Sequence, residues 1–305
     1  MNDRTSFEVI IIGGSYAGLS AAMTLGRSLR RTLIIDSGTP CNQPTPHAHN
    51  FITHDGAEPQ VIAQKAKAQV LKYERVQFKS GKAIRVLRQQ THFRVILEDD
   101  SSYQAKKLLL ATGLRDLMLP IEGFAACWGK SVLHCPYCHG YEVKSQKTGI
   151  LANGTMAYEM SQLLLNWTKD LILFTNGPAQ LDETQRAFLK RFNIDIIEQE
   201  ITALIHEKGE VQKVVGQNGI VLSTIDAIYA RTPFEQQCSI PVDLGCQLSE
   251  QGHIEVDFFQ KTSVEGVFAA GDNTTPFRTL SLATASGTKA GVAINKELIE
   301  ASYLV

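Results

Sequence analysis

The sequence has 305 residues, of which 44% are hydrophobic and 20% are charged, and its formal net charge is −1. That length suffices for two domains, and the near-zero charge gives no electrostatic reason to expect nucleic acid or an anionic membrane as a partner. No apolar run is long enough to span a bilayer, residues 1–6 lack the layout of a signal peptide, and six cysteines do not indicate a secreted disulfide scaffold. The sequence therefore predicts a cytoplasmic enzyme.

The first predicted element is a buried parallel strand over residues 7–12, followed by a glycine turn at 13–18 and a helix. This order is the dinucleotide fingerprint, in which backbone N–H groups and a helix N-terminus approach a pyrophosphate. Ser15 stands where the fingerprint has its second glycine. The next strand, 32–36, ends in Asp36, which is placed to accept ribose hydroxyls. A generic strand–helix turn is the alternative interpretation.

Residues 39–51 form a polar loop with three prolines, which contains Cys41, His47 and His49. The two histidines face either a ligand or simply their own loop, and the pattern leaves both interpretations open. A helix is predicted for 59–73 and strands for 76–97. A further buried strand, 107–113, ends in Ala111-Thr112-Gly113, whose small side chains allow a ligand to lie close to the backbone.

Residues 134–142 (HCPYCHGYE) contain two cysteines at C-x-x-C spacing between two histidines. The other cysteines offer no second pair, so the sequence predicts no metal site, and a structural disulfide across so short a loop would constrain the unfolded chain little. The remaining interpretation is redox chemistry, in which one thiolate attacks and its neighbour resolves. His139 directly follows Cys138 and is placed to move the proton.

A second strand–turn–helix candidate covers residues 148–157, with the turn sequence ANGTMA at 152–157. The next strand, 170–174, lacks an acid at its end, and the only basic residue between Leu171 and Leu189 is Arg186. A helix is predicted for 180–192 and strands for 194–230. Cys127, Cys238 and Cys246 are predicted to be packing residues.

The glycine turn, the Ala-Thr-Gly strand end, the C-x-x-C pair and the segment 262–272 (TSVEGVFAAGD) occur in this order. In this respect the chain resembles the low-molecular-weight thioredoxin reductases, which are two-domain FAD flavoproteins, over nearly its full length. Residues 135–142 (CPYCHGYE) are similar to the dithiol oxidases typified by gliotoxin-type enzymes, which close disulfides in dithiol natural products. Thioredoxin reductases have an Asp after the second cysteine, whereas this chain has His139.

The resemblance implies an α/β fold of two Rossmann-like three-layer domains, the second inserted in the first, and a homodimer. The predicted domains are 1–115 and 233–305 for FAD, with 116–232 as an inserted NAD(P)-type domain that carries the cysteine pair. The residues expected to hold FAD are Gly13, Gly14, Ser15, Ala17, Gly18, Asp36, His49, Asn50, Ala111, Thr112, Gly113, Gly271, Asp272, Arg278, Thr279 and Leu280. Arg278-Thr279-Leu280 is expected to begin a helix whose dipole stabilises a reduced flavin.

The same resemblance makes NAD(P)H doubtful as a second cofactor. A nicotinamide-cofactor domain of this family shows G-x-G-x-x-A, whereas this chain has Ala152 at the first glycine, and the NADPH-using reductases have a basic cluster after the following strand. An ordinary NADPH-binding domain with an unusual loop is the alternative.

The sequence thus predicts an FAD-dependent dithiol–disulfide oxidoreductase with Cys135, Cys138 and His139 as catalytic residues, acting on a small dithiol or disulfide or on a thioredoxin-like protein. It favours independence from NADPH. One alternative is a thioredoxin reductase that depends on NAD(P)H or receives its electrons from a ferredoxin or a second flavin. The other alternative is a flavin-bearing redox sensor.

Overall fold

The computed structural model describes residues 5–303. The strands are β1 (Ser6–Ile12), β2 (Thr32–Asp36), β3 (Val76–Ser80), β4 (Ala83–Arg88), β5 (Phe93–Leu97), β6 (Ser102–Leu110), β7 (Leu114–Asp116), β8 (Val132–Leu133), β9 (Thr148–Leu151), β10 (Leu171–Phe174), β11 (Asp195–Ile197), β12 (Ile201–Glu207), β13 (Glu210–Gly216), β14 (Val221–Thr224), β15 (Ala227–Ala230), β16 (Phe234–Gln236) and β17 (Val267–Ala269). The α-helices are α1 (Tyr16–Arg27), α2 (Pro59–Val70), α3 (Phe124–Cys127), α4 (Pro136–His139), α5 (Gly154–Leu164), α6 (Glu183–Arg191), α7 (Ile240–Asp243) and α8 (Leu280–Tyr303).

The chain divides into two compact units. The first unit contains the described residues up to Cys41, together with Gln60–Arg115 and the chain from Phe234 onward. The inserted unit contains Asn42–Pro59 and Asp116–Pro233. These units differ from the predicted domains at residues 42–59, which pack with the inserted unit although the domain prediction assigned them to the first part. The predicted domain boundaries stay a prediction.

The first unit is built on a seven-stranded sheet with the order β3-β2-β1-β6-β5-β4, in which β17 also pairs with β6. The pairs β1–β2, β1–β6, β2–β3 and β6–β17 are parallel, whereas β4 and β5 form antiparallel pairs. Ile10, Ile34 and Leu108 on the central strands are fully buried, as expected for apolar runs in a parallel sheet covered on both faces. Helix α1 packs against α8.

The inserted unit has a five-stranded parallel sheet with the order β11-β10-β9-β15-β8 and a separate antiparallel sheet of β12, β13 and β14. Its core includes Leu173 and Phe174 of β10 and Tyr229 of β15, each at most 1% exposed. One mixed sheet with a parallel centre and one parallel sheet, each combined with helices, confirm the predicted α/β class with two Rossmann-like parts.

Most predicted elements are present with shifted ends. Helix α6 begins at Glu183 rather than at residue 180, because Asp182 caps it: the Asp182 carboxylate accepts the Gln185 N–H, and the Gln185 side chain accepts the Asp182 N–H. The signal-peptide prediction concerns residues 1–6, of which 1–4 lie outside the described part of the chain. Between residues 5 and 303, none of the helices combines the length and apolarity that a membrane crossing requires.

Candidate active site

The two cysteines of the C-x-x-C sequence meet at a short helix in the inserted unit. Cys135 and Cys138 form a disulfide, with their Cα atoms 5.3 Å apart. Cys135 has an extended backbone and caps α4, and Pro136 occupies the first helical turn, where its missing N–H costs nothing. The N–H groups of Cys138 and His139 both donate to the Cys135 carbonyl at 3.2 Å. This tight turn holds the two sulfur atoms within bonding reach, as predicted from their spacing.

His139 lies directly beside the pair in a poorly hydrated position. Burial, and then the neighbouring His49, lower the pKa of His139, while Glu142 opposes them. Because the imidazole is therefore held neutral to a lower pH than an exposed histidine, His139 is a proton acceptor at neutral pH. Its position next to Cys138 fits the proton-transfer role expected from the sequence.

His49 lies in the same unit and contacts this site. Its Nδ1 is 3.4 Å from Oε1 of Glu142 and 3.8 Å from Oδ1 of Asp55. Its ring stands edge-on to the ring of His139, with 6.1 Å between the centroids. The sequence analysis predicted His49 and Asn50 as FAD contacts, and that role stays a prediction. Asn50 adopts a left-handed conformation (φ 58°), and its N–H donates to the Asp55 carboxylate at 2.7 Å.

The glycine turn after β1 has the shape of a dinucleotide cradle. Gly13 has φ 108°, and a Cβ there would lie 2.0 Å from the Ala111 carbonyl oxygen, so any side chain would clash. The Gly14 N–H donates to the Asp36 carboxylate at 2.9 Å, which fixes that acid at the end of β2. Ser15 has φ −91° and caps α1, a conformation open to any residue. The serine in place of the second glycine therefore leaves the turn intact.

The remaining predicted flavin contacts gather at the ends of β6 and β17. Ala269 pairs with Leu110, so Thr112 and Asp272 follow neighbouring strands. Nδ2 of Asn273 donates to the Leu110 carbonyl at 2.9 Å and to Oγ1 of Thr112 at 3.3 Å, which ties these two ends together. The sequence analysis did not single out Asn273, although a buried amide at two strand ends is needed to satisfy their backbone groups.

Asp272 lies beside Arg278 and Cys41 within the first unit. Nε of Arg278 lies 3.7 Å from Oδ2 of Asp272, and Sγ of Cys41 donates to the same oxygen at 3.6 Å. Helix α8 begins at Leu280, as predicted, and Oγ1 of Thr279 accepts the Leu282 N–H at 3.2 Å. The Arg278–Thr279–Leu280 segment thus lies at a helix N-terminus, close in space to Asp272.

The second turn, after β9, is closed by a side chain. Oδ1 of Asn153 accepts the N–H groups of Gly154 and Gln180, both at 2.8 Å. Nδ2 of Asn153 donates to the carbonyls of Pro178 at 3.0 Å and Thr175 at 3.3 Å. In a nucleotide-binding domain, phosphate oxygens occupy the N-terminus of this helix. Here an uncharged amide takes the N–H of Gly154 and binds the following loop over the turn.

Arg186, the one basic residue between Leu171 and Leu189, also has partners within the chain. Its Nη2 donates to the Ala179 carbonyl at 3.0 Å and lies 3.7 Å from Oε1 of Glu198. That same carboxylate oxygen accepts the Ala179 N–H at 3.1 Å. An acid next to the arginine disfavours a 2′-phosphate. The residues of this turn therefore do not fit NAD(P)H.

Three of the four other cysteines are poorly suited to redox exchange. Burial is the main cause that raises the thiol pKa values of Cys127, Cys238 and Cys246, which disfavours their reactive thiolate forms. This agrees with the packing roles expected for them. Cys41 is exposed, and its thiol points to Asp272.

Comparison with known proteins places these features in context. The model of the family described as pyridine nucleotide-disulphide oxidoreductase matches residues 7–290. The chain is 30% identical to thioredoxin reductase tcpT of Claviceps purpurea over 313 residues, covering 98% of this chain and 96% of the relative. It is 28% identical to thioredoxin reductase sirT of Leptosphaeria maculans over 319 residues, covering 97% and 95%. The crystal structure of HlmI is similar with a TM-score of 0.93 and 30% identity, covering 100% of this chain and 96% of that chain.

Proposed function

The chain belongs to the pyridine nucleotide-disulphide oxidoreductase family, and from that premise we propose that it is an FAD-dependent dithiol oxidase that works without NADPH. Membership makes it an oxidoreductase, and the resemblance to thioredoxin reductases and their gliotoxin-type relatives, stated from the sequence, is confirmed. This thioredoxin-reductase-like family is flavin-dependent and acts on thioredoxin or other disulfides. The specific substrate and the electron route are the proposed part.

The closed turn at Asn153 carries the proposal. A reductase that draws electrons from NAD(P)H must bind the pyrophosphate of that nucleotide at the N-terminus of the second Rossmann-like helix. In this chain Asn153 accepts the Gly154 N–H there and holds the loop 175–180 across the turn. Because the chain's own amide accepts this N–H group, these contacts support a dithiol rather than NAD(P)H as the source of electrons.

The glycine turn of the first unit is the feature that fits FAD. The turn can adopt the cradle conformation because Gly13 has no Cβ to strike the Ala111 carbonyl, and the Asp36 carboxylate retains acceptor capacity for the adenosine ribose. Asp272 and the segment Arg278–Leu280 would hold the ribityl chain and the pyrimidine edge. When bound, FAD would supply a two-electron acceptor for the reduced cysteine pair, with dioxygen as the final acceptor, which becomes hydrogen peroxide.

The chain's own residues carry out the thiol–disulfide exchange. His139 accepts the proton of the first substrate thiol, and the resulting thiolate attacks Sγ of Cys135. The Cys135–Cys138 bond breaks as the mixed disulfide forms, and Cys138 leaves as a thiolate. The second substrate thiol gives its proton to the Cys138 thiolate and attacks the first substrate sulfur, which is bonded to Cys135 in the mixed disulfide. The substrate disulfide closes, Cys135 leaves as a thiolate, and His139 gives Cys135 the proton that it had accepted. The substrate thereby loses two electrons and two protons, and the pair gains both.

The overall reaction is R(SH)2 + O2 → RS2 + H2O2. Two exposed tyrosines lie close to the cysteines in the sequence: Tyr137, between them, is 65% exposed, and Tyr141, three residues after Cys138, is 70% exposed. Exposed aromatic rings favour a substrate with an apolar ring system, because such rings supply contact area at low entropic cost. This agrees with a small dithiol as the substrate.

The alternative, an NAD(P)H-dependent thioredoxin reductase, is supported by the relatives, which are named thioredoxin reductases. A flavin-bearing sensor would use the same cysteine pair with slow turnover. The cytoplasmic location and the homodimer stay predictions.

The test is aerobic turnover of a small dithiol, dithiothreitol, by the flavin-loaded protein in the absence of any nicotinamide nucleotide. We expect steady formation of oxidised dithiothreitol with one hydrogen peroxide for each molecule oxidised. A parallel assay supplies NADPH and a disulfide; consumption of NADPH there, without peroxide formation from the dithiol in the first assay, would favour the reductase. Flavin reduction without continued turnover would favour the sensor.

A further inference from the structure

The segment Asn42–Pro59 is folded onto the inserted unit and has defined internal contacts. Ala48 pairs with Ala57 in an antiparallel bridge, and Ala48 is 8% exposed. The Gly56 N–H donates to the Ala48 carbonyl at 2.8 Å. A Cβ at Gly129 would lie 3.0 Å from Oγ1 of Thr45, so the segment lies closely against the chain that leads to the cysteine pair.

This segment brings His49 to the redox site. The His49 side chain is 19% exposed, whereas its two acidic neighbours, Glu142 and Asp55, are 38% and 71% exposed. Its Nδ1 lies 3.4 Å from Oε1 of Glu142, and its ring meets the edge of the His139 ring. The three side chains His49, Glu142 and His139 therefore form one cluster beside Cys138.

We propose that His49 is a positioning residue of the redox site, which compensates the charge of Glu142 and thereby keeps His139 ready to accept the substrate proton. This inference rests on the proposed dithiol reaction. A bare carboxylate near His139 would stabilise the imidazolium form, which cannot accept a proton. His49 contacts this carboxylate and the edge of the His139 ring, and its electrostatic effect on His139 is opposite to that of Glu142.

The directions in which His49 and Glu142 shift the pKa of His139 agree with this proposal. His49 lowers and Glu142 raises the pKa of His139, and burial lowers it most. Asp55 faces His49 from the turn of the same segment. Tyr229 of β15 faces Glu142, and burial, followed by the Glu142 charge, raises the pKa of its phenol, so Tyr229 stays neutral. Burial therefore makes the largest contribution to the acidic limit of the reaction, and His49 and Glu142 shift that limit in opposite directions.

The test compares pH profiles of kcat/KM for dithiothreitol oxidation in four proteins: the unmodified chain, His49→Gln, Glu142→Gln and the double variant. We expect the acidic limb to move to higher pH in His49→Gln, because the repelling charge is lost, and to lower pH in Glu142→Gln. The double variant should lie between the single variants. His47→Gln is the matched control, since it changes a histidine of the same segment whose Nδ1 contacts the Gly56 carbonyl at 3.1 Å.

A second readout does not require turnover. In the oxidised protein with 13C-labelled histidine, NMR titration follows His139 directly, with His139→Gln used for assignment. A rise in the His139 pKa in His49→Gln supports the inference even if no dithiol oxidation is found, which separates it from the proposed function. An unchanged titration of His139, or an equal shift in His47→Gln, would overturn it.

Discussion

The side-chain oxygen of Asn153 accepts the backbone N–H of Gln180 at 2.8 Å and so binds the loop after β10 to the N-terminus of α5. The same oxygen accepts the Gly154 N–H, which is the group that would otherwise bind a phosphate. This contact supports the proposed independence from NAD(P)H more directly than the missing glycine at Ala152.

The Asn153 contacts should stabilise the inserted unit. We expect Asn153→Ala to lower the free energy of unfolding by about 1–2 kcal/mol, because it removes a helix cap and leaves N–H groups of two segments without their acceptor. Urea denaturation measures the effect. Asn166→Ala changes an exposed asparagine just after the same helix and should cost much less. Equal losses in the two variants would contradict the role of Asn153.

The cysteine pair should be essential for electron transfer and dispensable for the flavin. We expect Cys138→Ser to retain bound FAD but to lose dithiol oxidation by more than about a hundredfold, since serine cannot form the disulfide. The readouts are flavin absorbance and peroxide formation. Cys238→Ala, which removes a packing thiol, is the control and should retain turnover. Substantial turnover in Cys138→Ser would show that another group carries the electrons.

Dithiol oxidation should depend on the protonation of His139. Because burial and His49 lower the His139 pKa, the basic imidazole persists to lower pH than in an exposed histidine, and activity should fall only as the pH drops through that lowered value. We expect His139→Ala to reduce kcat/KM by about 10²- to 10⁴-fold at neutral pH and to remove this acidic limb. A variant that keeps the unmodified pH profile would place proton transfer elsewhere.

The glycine turn should require Gly13 both for its positive φ and because a Cβ at this position would have no room. We expect Gly13→Ala to cost about 2–4 kcal/mol and to reduce flavin content, because the new methyl group meets the Ala111 carbonyl and φ is 108°. Gly38→Ala has φ 78° but no atom within 4 Å of the new Cβ, so it should cost only about 1 kcal/mol. Thermal denaturation and the flavin-to-protein absorbance ratio distinguish them. Similar losses in both would contradict the steric explanation.

Local signals in the sequence predicted much of this account. Apolar runs such as residues 7–12 and 171–174 indicate buried parallel strands, and the spacing of Cys135 and Cys138 predicts the redox pair, because both depend on neighbours in the chain. The contact between His49 and Glu142 could not be predicted, since it depends on how residues 42–59 fold onto a distant segment. Asn153 precedes a glycine at a predicted helix start, which is a capping signal, but its bond to Gln180 requires the loop conformation.

The central claim is that the electrons come from a dithiol and not from a nicotinamide nucleotide. The most direct test is an anaerobic titration of the flavin-loaded protein with NADPH, then NADH, then dithiothreitol, following flavin absorbance. We predict bleaching by dithiothreitol alone, with recovery of the absorbance and formation of hydrogen peroxide when air is admitted. Rapid bleaching by NADPH or NADH would mean that the turn at Asn153 opens to bind the nucleotide, and it would contradict the proposal.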